Sequence, residues 1–250
     1  MADRPLADSI ALVTGASRGI GHATALALAR AGAHIVAVAR TVGGLEELDD
    51  AVRAEGGSAT LVPLDLDDFD GVARLALALN ERYRRLDILV GNAGLLGPVS
   101  PLGHVDPAEF ERMMRINVTA NLQLIRCMDP LLRAAPAGRV VFLSSGAAHN
   151  ARAYVGPYSI SKAALEMLAR TYAAETVTTR VRVNLVNPGA ARTRMRAQFM
   201  PGEDPATLPS PDRVADAIVK LCLPSLNETG RLFDVPTARF LDFRRREEPR

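Results

Sequence analysis

The chain has 250 residues, 48% hydrophobic and 23% charged, with a formal net charge of +2, which suits one large α/β domain over 1–250 with a sizeable core. So mild a charge balance gives no electrostatic case for nucleic acid or an anionic membrane surface. Cys127 and Cys222 are the only cysteines, no His/Cys cluster has ligand spacing, no apolar run reaches the ~18 residues of a membrane span, and the start, Met1 to Asp8, lacks a signal-peptide core, so we expect no metal, no membrane partner and a cytoplasmic protein with two buried, reduced thiols.

In chain order, Ile10-Ala11-Leu12-Val13-Thr14 reads as a buried strand, followed by a glycine-rich turn over 15–21 and an Ala/Leu-rich helix from Ile20 to Ala31. Strand, glycine turn and helix in this order suit a pyrophosphate. The glycines let the backbone approach closely, and the helix N-terminus offers unpaired N–H groups; the alternative is a plain structural turn. A second strand runs from His34 to Ala39 and ends at Arg40-Thr41. NAD-binding folds usually place an acid there, on the ribose 2′-hydroxyl. An arginine in its place favours a 2′-phosphate, so Arg40, with Arg18 and Thr41, points to NADP(H) over NAD(H); otherwise both arginines are solvated surface.

The alternation continues with a helix over 45–55, a strand over 59–64, a helix over 72–84 and a strand over 87–90. A long helix over 108–134, a strand over 139–143, a helix over 158–176 and a strand over 181–186 follow. Residues 200–211 read as a surface loop, 212–222 as a last helix and 232–235 as a final strand. The charge-balanced tail over 244–248 reads as solvated. Continuous apolar strands joined by crossover helices predict one doubly wound, Rossmann-like parallel sheet of about seven strands with helices on both faces.

Over residues 8–235 the chain resembles the short-chain dehydrogenase/reductase family. The pattern T-G-x-x-x-G-x-G falls on Thr14, Gly15, Gly19 and Gly21, with Ser17, Arg18 and Ile20 in the same loop. Asp65-Leu66 resembles the family's adenine contact, and Asn92-Ala93-Gly94 its N-N-A-G motif, with Gly91 standing where the family has the first Asn. Pro188-Gly189 and Thr193 resemble the segment that binds the nicotinamide carboxamide. The family's Y-x-x-x-K appears as Tyr158 and Lys162, which share one face of a helix. A nearby ammonium is expected to draw the phenol's pKa down toward neutrality.

The resemblance implies Tyr158 as general acid/base and Lys162 beside it and the cofactor ribose. Ser145, thirteen residues before Tyr158, is the hydroxyl on the substrate oxygen, with Ser144 as its fallback. Asn117 matches the helix asparagine that holds a water relaying protons to the lysine. The implied reaction is hydride transfer between NADP(H) and a small carbonyl or alcohol substrate. The implied assembly is a homodimer or homotetramer, although the ending Gly230–Val235 departs from the common glycine-rich finish. A catalytically weak NADP-sensing or regulatory protein on the same fold is the alternative.

Strand C-terminal ends direct attention to Leu95, Leu96, Ala147, His149, Arg192 and Met195 as pocket residues. His149 reads either as a substrate contact or as an ordinary loop histidine, and Arg192 and Arg194 either as anion ligands or as solvated side chains. This end resembles a bacterial branch of the family without an assigned substrate.

Overall fold

The computed structural model describes residues 4–243. The elements in order are β1 (Ile10–Thr14), α1 (Gly19–Arg30), β2 (His34–Ala39), α2 (Val42–Ala54), β3 (Ser58–Pro63), α3 (Phe69–Tyr83) and β4 (Ile88–Gly91). Then come α4 (Pro107–Met114), a π-helical segment (Arg115–Thr119), α5 (Ala120–Ala134), β5 (Arg139–Leu143), α6 (Ala147–Asn150) and α7 (Gly156–Glu175). The chain continues with β6 (Arg182–Asn187), α8 (Arg194–Phe199), α9 (Pro211–Cys222), β7 (Leu232–Asp234) and β8 (Arg239–Leu241).

The strands form one sheet in the order β3-β2-β1-β4-β5-β6-β7-β8. Every pairing is parallel except β7 with β8. The central strands are apolar because helices cover both faces: all residues of β1, β4 and β5 are buried. One face packs Ile35, Val90 and Val141 against Leu28 of α1, Leu48 of α2 and Ile218 of α9. The other packs Leu12, Leu89 and Phe142 against Leu79 of α3, Leu124 of α5 and Leu165 of α7. The chain reverses direction across the sheet between β1 and β4, and there the strand ends open a crevice.

Local chemistry sets several boundaries. Asp68 caps α3 by accepting from the Gly71 N–H at 2.8 Å. Ser210 caps α9, whose first residue is Pro211. The helix expected over 108–134 is one uninterrupted helical run, in which a π-helical turn at Arg115–Thr119 joins α4 to α5. Such turns often mark functional positions, and this one contains the buried Asn117.

The eighth strand was not foreseen. Arg239–Leu241 folds back on β7 with Phe240 opposite Phe233, their ring centroids 5.2 Å apart. Asp234 builds the turn by accepting from the Thr237 N–H at 3.1 Å and its hydroxyl at 2.6 Å. Three residues alternate too briefly for periodicity to reveal them. The short helices α6 and α8 also went unread, and α8 occupies part of the segment after β6. Cys222 is buried as expected, whereas Cys127 is only half-buried. The tail over 244–248 lies outside the described residues. Among the described residues no helix is long and apolar enough to cross a membrane.

Candidate active site

The ends of β1, β2, β4, β5 and β6 surround a cleft of about 550 Å³. Its floor is built by the first turn of the sheet. Thr14 Oγ1 accepts from the N–H groups of Asn92 and Ala93 at 3.0 and 3.1 Å. Asn92 Nδ2 returns a bond to the Thr14 carbonyl at 2.8 Å. These bonds lock the glycine loop to the end of β4. Gly15 and Gly19 have φ of +66° and +58°, where glycine is unstrained. A Cβ on Gly21 would sit 2.2 Å from the Gly15 carbonyl oxygen, so this glycine packs α1 against the loop and does not line the cleft.

The N-terminus of α1 has no side-chain cap and no acid in its first turn. It opens onto a cleft lined by Ser17, Arg18, Gly19 and Ile20. Uncapped N–H groups beside an arginine fit a pyrophosphate. Arg40 and Thr41 line the same cleft, as do Asp65, Leu66, Ala93, Gly94, Pro188 and Thr193. Arg40 lies 3.6 Å from Asp65, both side chains about half exposed. An exposed pair at that length is weak and leaves the guanidinium free to turn toward an anion. The residues present therefore fit a dinucleotide carrying a 2′-phosphate.

The remaining predicted positions meet at the inner end. Tyr158 is in the first turn of α7, and both it and Lys162 line the cleft. Lys162 is 4% exposed; its Nζ donates to the Leu143 carbonyl at 2.6 Å and lies 5.7 Å from the Tyr158 ring centre. Burial lowers the lysine to about 8, partly offset by Glu166. Burial also pushes Tyr158 up, opposed by the nearby Ser145 hydroxyl. This direction is opposite to the one expected for Tyr158: desolvation outweighs the Ser145 hydroxyl, and the ammonium is directed at Leu143.

Asn117 stands behind the cleft. Its Oδ1 accepts from the Leu95 N–H at 2.7 Å, and its Nδ2 donates to the Leu95 carbonyl at 2.9 Å and to Ser161 Oγ at 2.9 Å. Its own carbonyl accepts from Asn121 Nδ2 at 2.8 Å. Ser145 does not line the main cleft but faces Tyr158, and its Oγ accepts from the Ala147 N–H at 3.2 Å. Ser144 does line it, but its hydroxyl is committed to Glu166 at 2.5 Å. Gly189, with φ of +67°, packs against Pro236 away from the cleft.

At the substrate end, Leu95, Leu96 and Met195 line the cleft, whereas Ala147, His149 and Arg192 do not. His149 instead meets Glu166, its Nε2 3.0 Å from the carboxylate, and Arg192 is exposed. Arg112, Ile116 and Gln198 complete the wall and went unread, with Arg194 beside them. Arg112 and Ile116 are four residues apart, a spacing that could have revealed one helix face. A second cavity of about 470 Å³ adjoins, sharing Leu95, Leu96, Arg112 and Gln198.

Gly91, the departure from the family motif, has a packing cause. A Cβ there would lie 2.3 Å from the Phe142 ring and 2.6 Å from Asn121 Oδ1. Those two side chains fill the space a larger residue would need. Asn187, also unread, joins the loops after β5 and β6 by accepting from the N–H groups of Gly146 at 2.9 Å and Gly189 at 3.2 Å.

The family model described as short chain dehydrogenase matches residues 9–204. An oxidoreductase of Escherichia coli K12 named YciK, described as uncharacterized, is 36% identical over 238 residues, which cover 94% of each chain. A Shigella flexneri 2a structure, described as a short chain dehydrogenase complexed with NADP, superposes with a TM-score of 0.90 at 37% identity, covering 94% of this chain and 99% of that one. A similarly described Escherichia coli CFT073 structure complexed with NADPH gives a TM-score of 0.88 at 36% identity, covering 94% and 99%.

Proposed function

The chain belongs to the short-chain dehydrogenase family, and on that footing we propose that it is an NADP(H)-dependent oxidoreductase acting on a carbonyl or alcohol substrate. The observation that carries this reading is the meeting of Tyr158 and Lys162 with the glycine loop in one cleft. The NADP- and NADPH-bound relatives support the cofactor assignment, as do Arg18 and Arg40 at its phosphate end. Among its residues, Gly15, Ser17, Gly19 and Ile20 hold the pyrophosphate, and Arg40 and Thr41 the 2′-phosphate. Asp65 and Leu66 flank the adenine, Asn92, Ala93 and Gly94 the ribose, and Pro188 and Thr193 the nicotinamide end, with Gly189 packing on Pro236 outside the cleft.

NADPH, when bound, supplies the hydride. Tyr158 gives its phenolic proton to the substrate oxygen, a role worth about 10²–10⁴-fold in rate. The charge developing on that oxygen is stabilised by Ser145 through its hydroxyl and by Lys162 through its ammonium. Asn117 fixes the loop at Leu95 through paired bonds and so sets the wall on which the substrate lies. In the oxidative direction Tyr158 accepts the proton instead.

Leu122 on α5 and Ile160 and Met167 on α7 are exposed, which supports a homodimer or homotetramer built on those helices; light scattering of the purified protein tests this. The function is tested by NADPH oxidation against ketones, aldehydes, quinones and 3-oxoacyl thioesters. Turnover that disappears in Tyr158→Phe supports the reading. Tight NADPH binding with no turnover on any of these would favour the sensing alternative.

A further inference from the structure

Glu166 is 4% exposed and lies one turn beyond Lys162 on α7. Two side chains of the β5–α6 segment converge on its carboxylate: the Ser144 hydroxyl donates at 2.5 Å, and His149 Nε2 stands 3.0 Å away. Nothing in the reaction outlined above uses this group. We propose that Glu166 is a positioning residue of the active site, the buried counter-ion of Lys162, held by Ser144 and His149 beside the strand end that carries Ser145. The proposal rests on the functional reading above, in which Lys162 acts while charged.

A buried carboxylate is costly unless it is paired and hydrogen-bonded. Lys162 stands four residues before Glu166 on the same face of α7. Lys162 is equally buried, and its one direct bond goes to a neutral carbonyl, that of Leu143. Burial favours the neutral amine, and the charge opposing this is Glu166. The other ionisable groups nearby are engaged elsewhere. Arg170, one turn further on α7, stacks on Phe243 at 4.2 Å, and Arg115 of the π-helical turn pairs with Asp67. Arg182, the one ionisable residue of β6, bonds the Thr179 carbonyl at the far end of that strand. His149 is half exposed and reaches the carboxylate from α6. One carboxylate therefore joins α7 to the segment 144–149, and loosening it disturbs both Lys162 and Ser145.

The sequence supplies a direct readout. Only two lysines occur, Lys162 and Lys220, and Lys220 is exposed. The full chain labelled with [15N]lysine, with and without NADP⁺, gives two ammonium signals, with Lys220 as internal reference. In Glu166→Gln we expect the Lys162 midpoint to fall by about one pH unit, a tenfold change in its proton affinity. In Ser144→Ala, which keeps the charge but loosens its hold, we expect a smaller fall in the same direction. In Glu166→Asp, which keeps the charge, the midpoint stays near the wild-type value. A Lys162 midpoint unmoved in both Glu166→Gln and Ser144→Ala overturns the proposal, whatever happens to activity or melting. So does a displacement in Glu166→Asp as large as in Glu166→Gln, because packing and not charge would then be responsible. Wild type without turnover on any carbonyl would sink the functional reading instead, and the lysine titration would still decide the pairing.

Discussion

Lys162 Nζ is moored to the Leu143 carbonyl at 2.6 Å, so the ammonium of α7 is fixed to the last residue of β5 and not to the phenol one turn before it. Its burial has a consequence for stability as well as for catalysis. Because burial lowers Lys162 from 10.5 to about 8, the native protein gives up this proton before the unfolded chain does. Stability is therefore penalised below pH 8 and recovers as pH rises from 8 toward 10.5. Between pH 7 and 9 the gain is about 1 kcal/mol, measurable by urea unfolding and absent from Lys162→Met. Activity should move the opposite way, falling as the charged lysine is lost above pH 8. The comparison stops at pH 9 because Cys222, pushed up to about 12 by burial, contributes an opposite slope above its ordinary value that offsets the lysine's.

Tyr158→Phe should lower kcat by about 10²–10⁴-fold and leave NADPH affinity nearly unchanged, as read by quenching of cofactor fluorescence. Ser145→Ala should lower kcat by about 10²-fold, within the range for losing one donor to a developing oxyanion. A Tyr158→Phe enzyme with wild-type turnover would refute the assigned acid.

Arg40→Asp should move preference toward NADH. The Arg40–Asp65 pair is exposed and long, so its loss changes melting little. Losing charge-assisted bonds to a 2′-phosphate shifts the ratio of kcat/KM for NADPH and NADH by about ten- to a hundred-fold. If the ratio stays at the parent value, Arg40 is not the discriminator.

Gly91→Ala should destabilise the protein by about 1–3 kcal/mol, the usual range for overpacking, because its methyl would meet the Phe142 ring at 2.3 Å. Phe142→Leu in the same chain should recover part of that loss. Denaturant midpoints of the single and double variants check both statements, and strictly additive losses would show that the two residues do not compete for space.

What the sequence determined by itself was local. Strand, glycine loop and helix follow one another within 10–31, Tyr158 and Lys162 share a helix face by spacing alone, and the arginine after β2 is adjacent to its strand. Apolar runs announced the central strands because burial on both faces leaves no alternation to obscure. What only the tertiary structure decided involves residues far apart in the chain. Phe142 and Asn121 leave room at position 91 only for glycine, and Glu166 gathers Ser144 and His149 from across α7. Arg112 and Gln198 become one wall because α4 and α8 end at the same crevice. Periodicity records which face of an element is buried, but not which neighbour buries it. That choice belongs to the packing of separate elements, and there the direction of the Tyr158 shift, the commitment of Ser144 and the surroundings of His149 were settled.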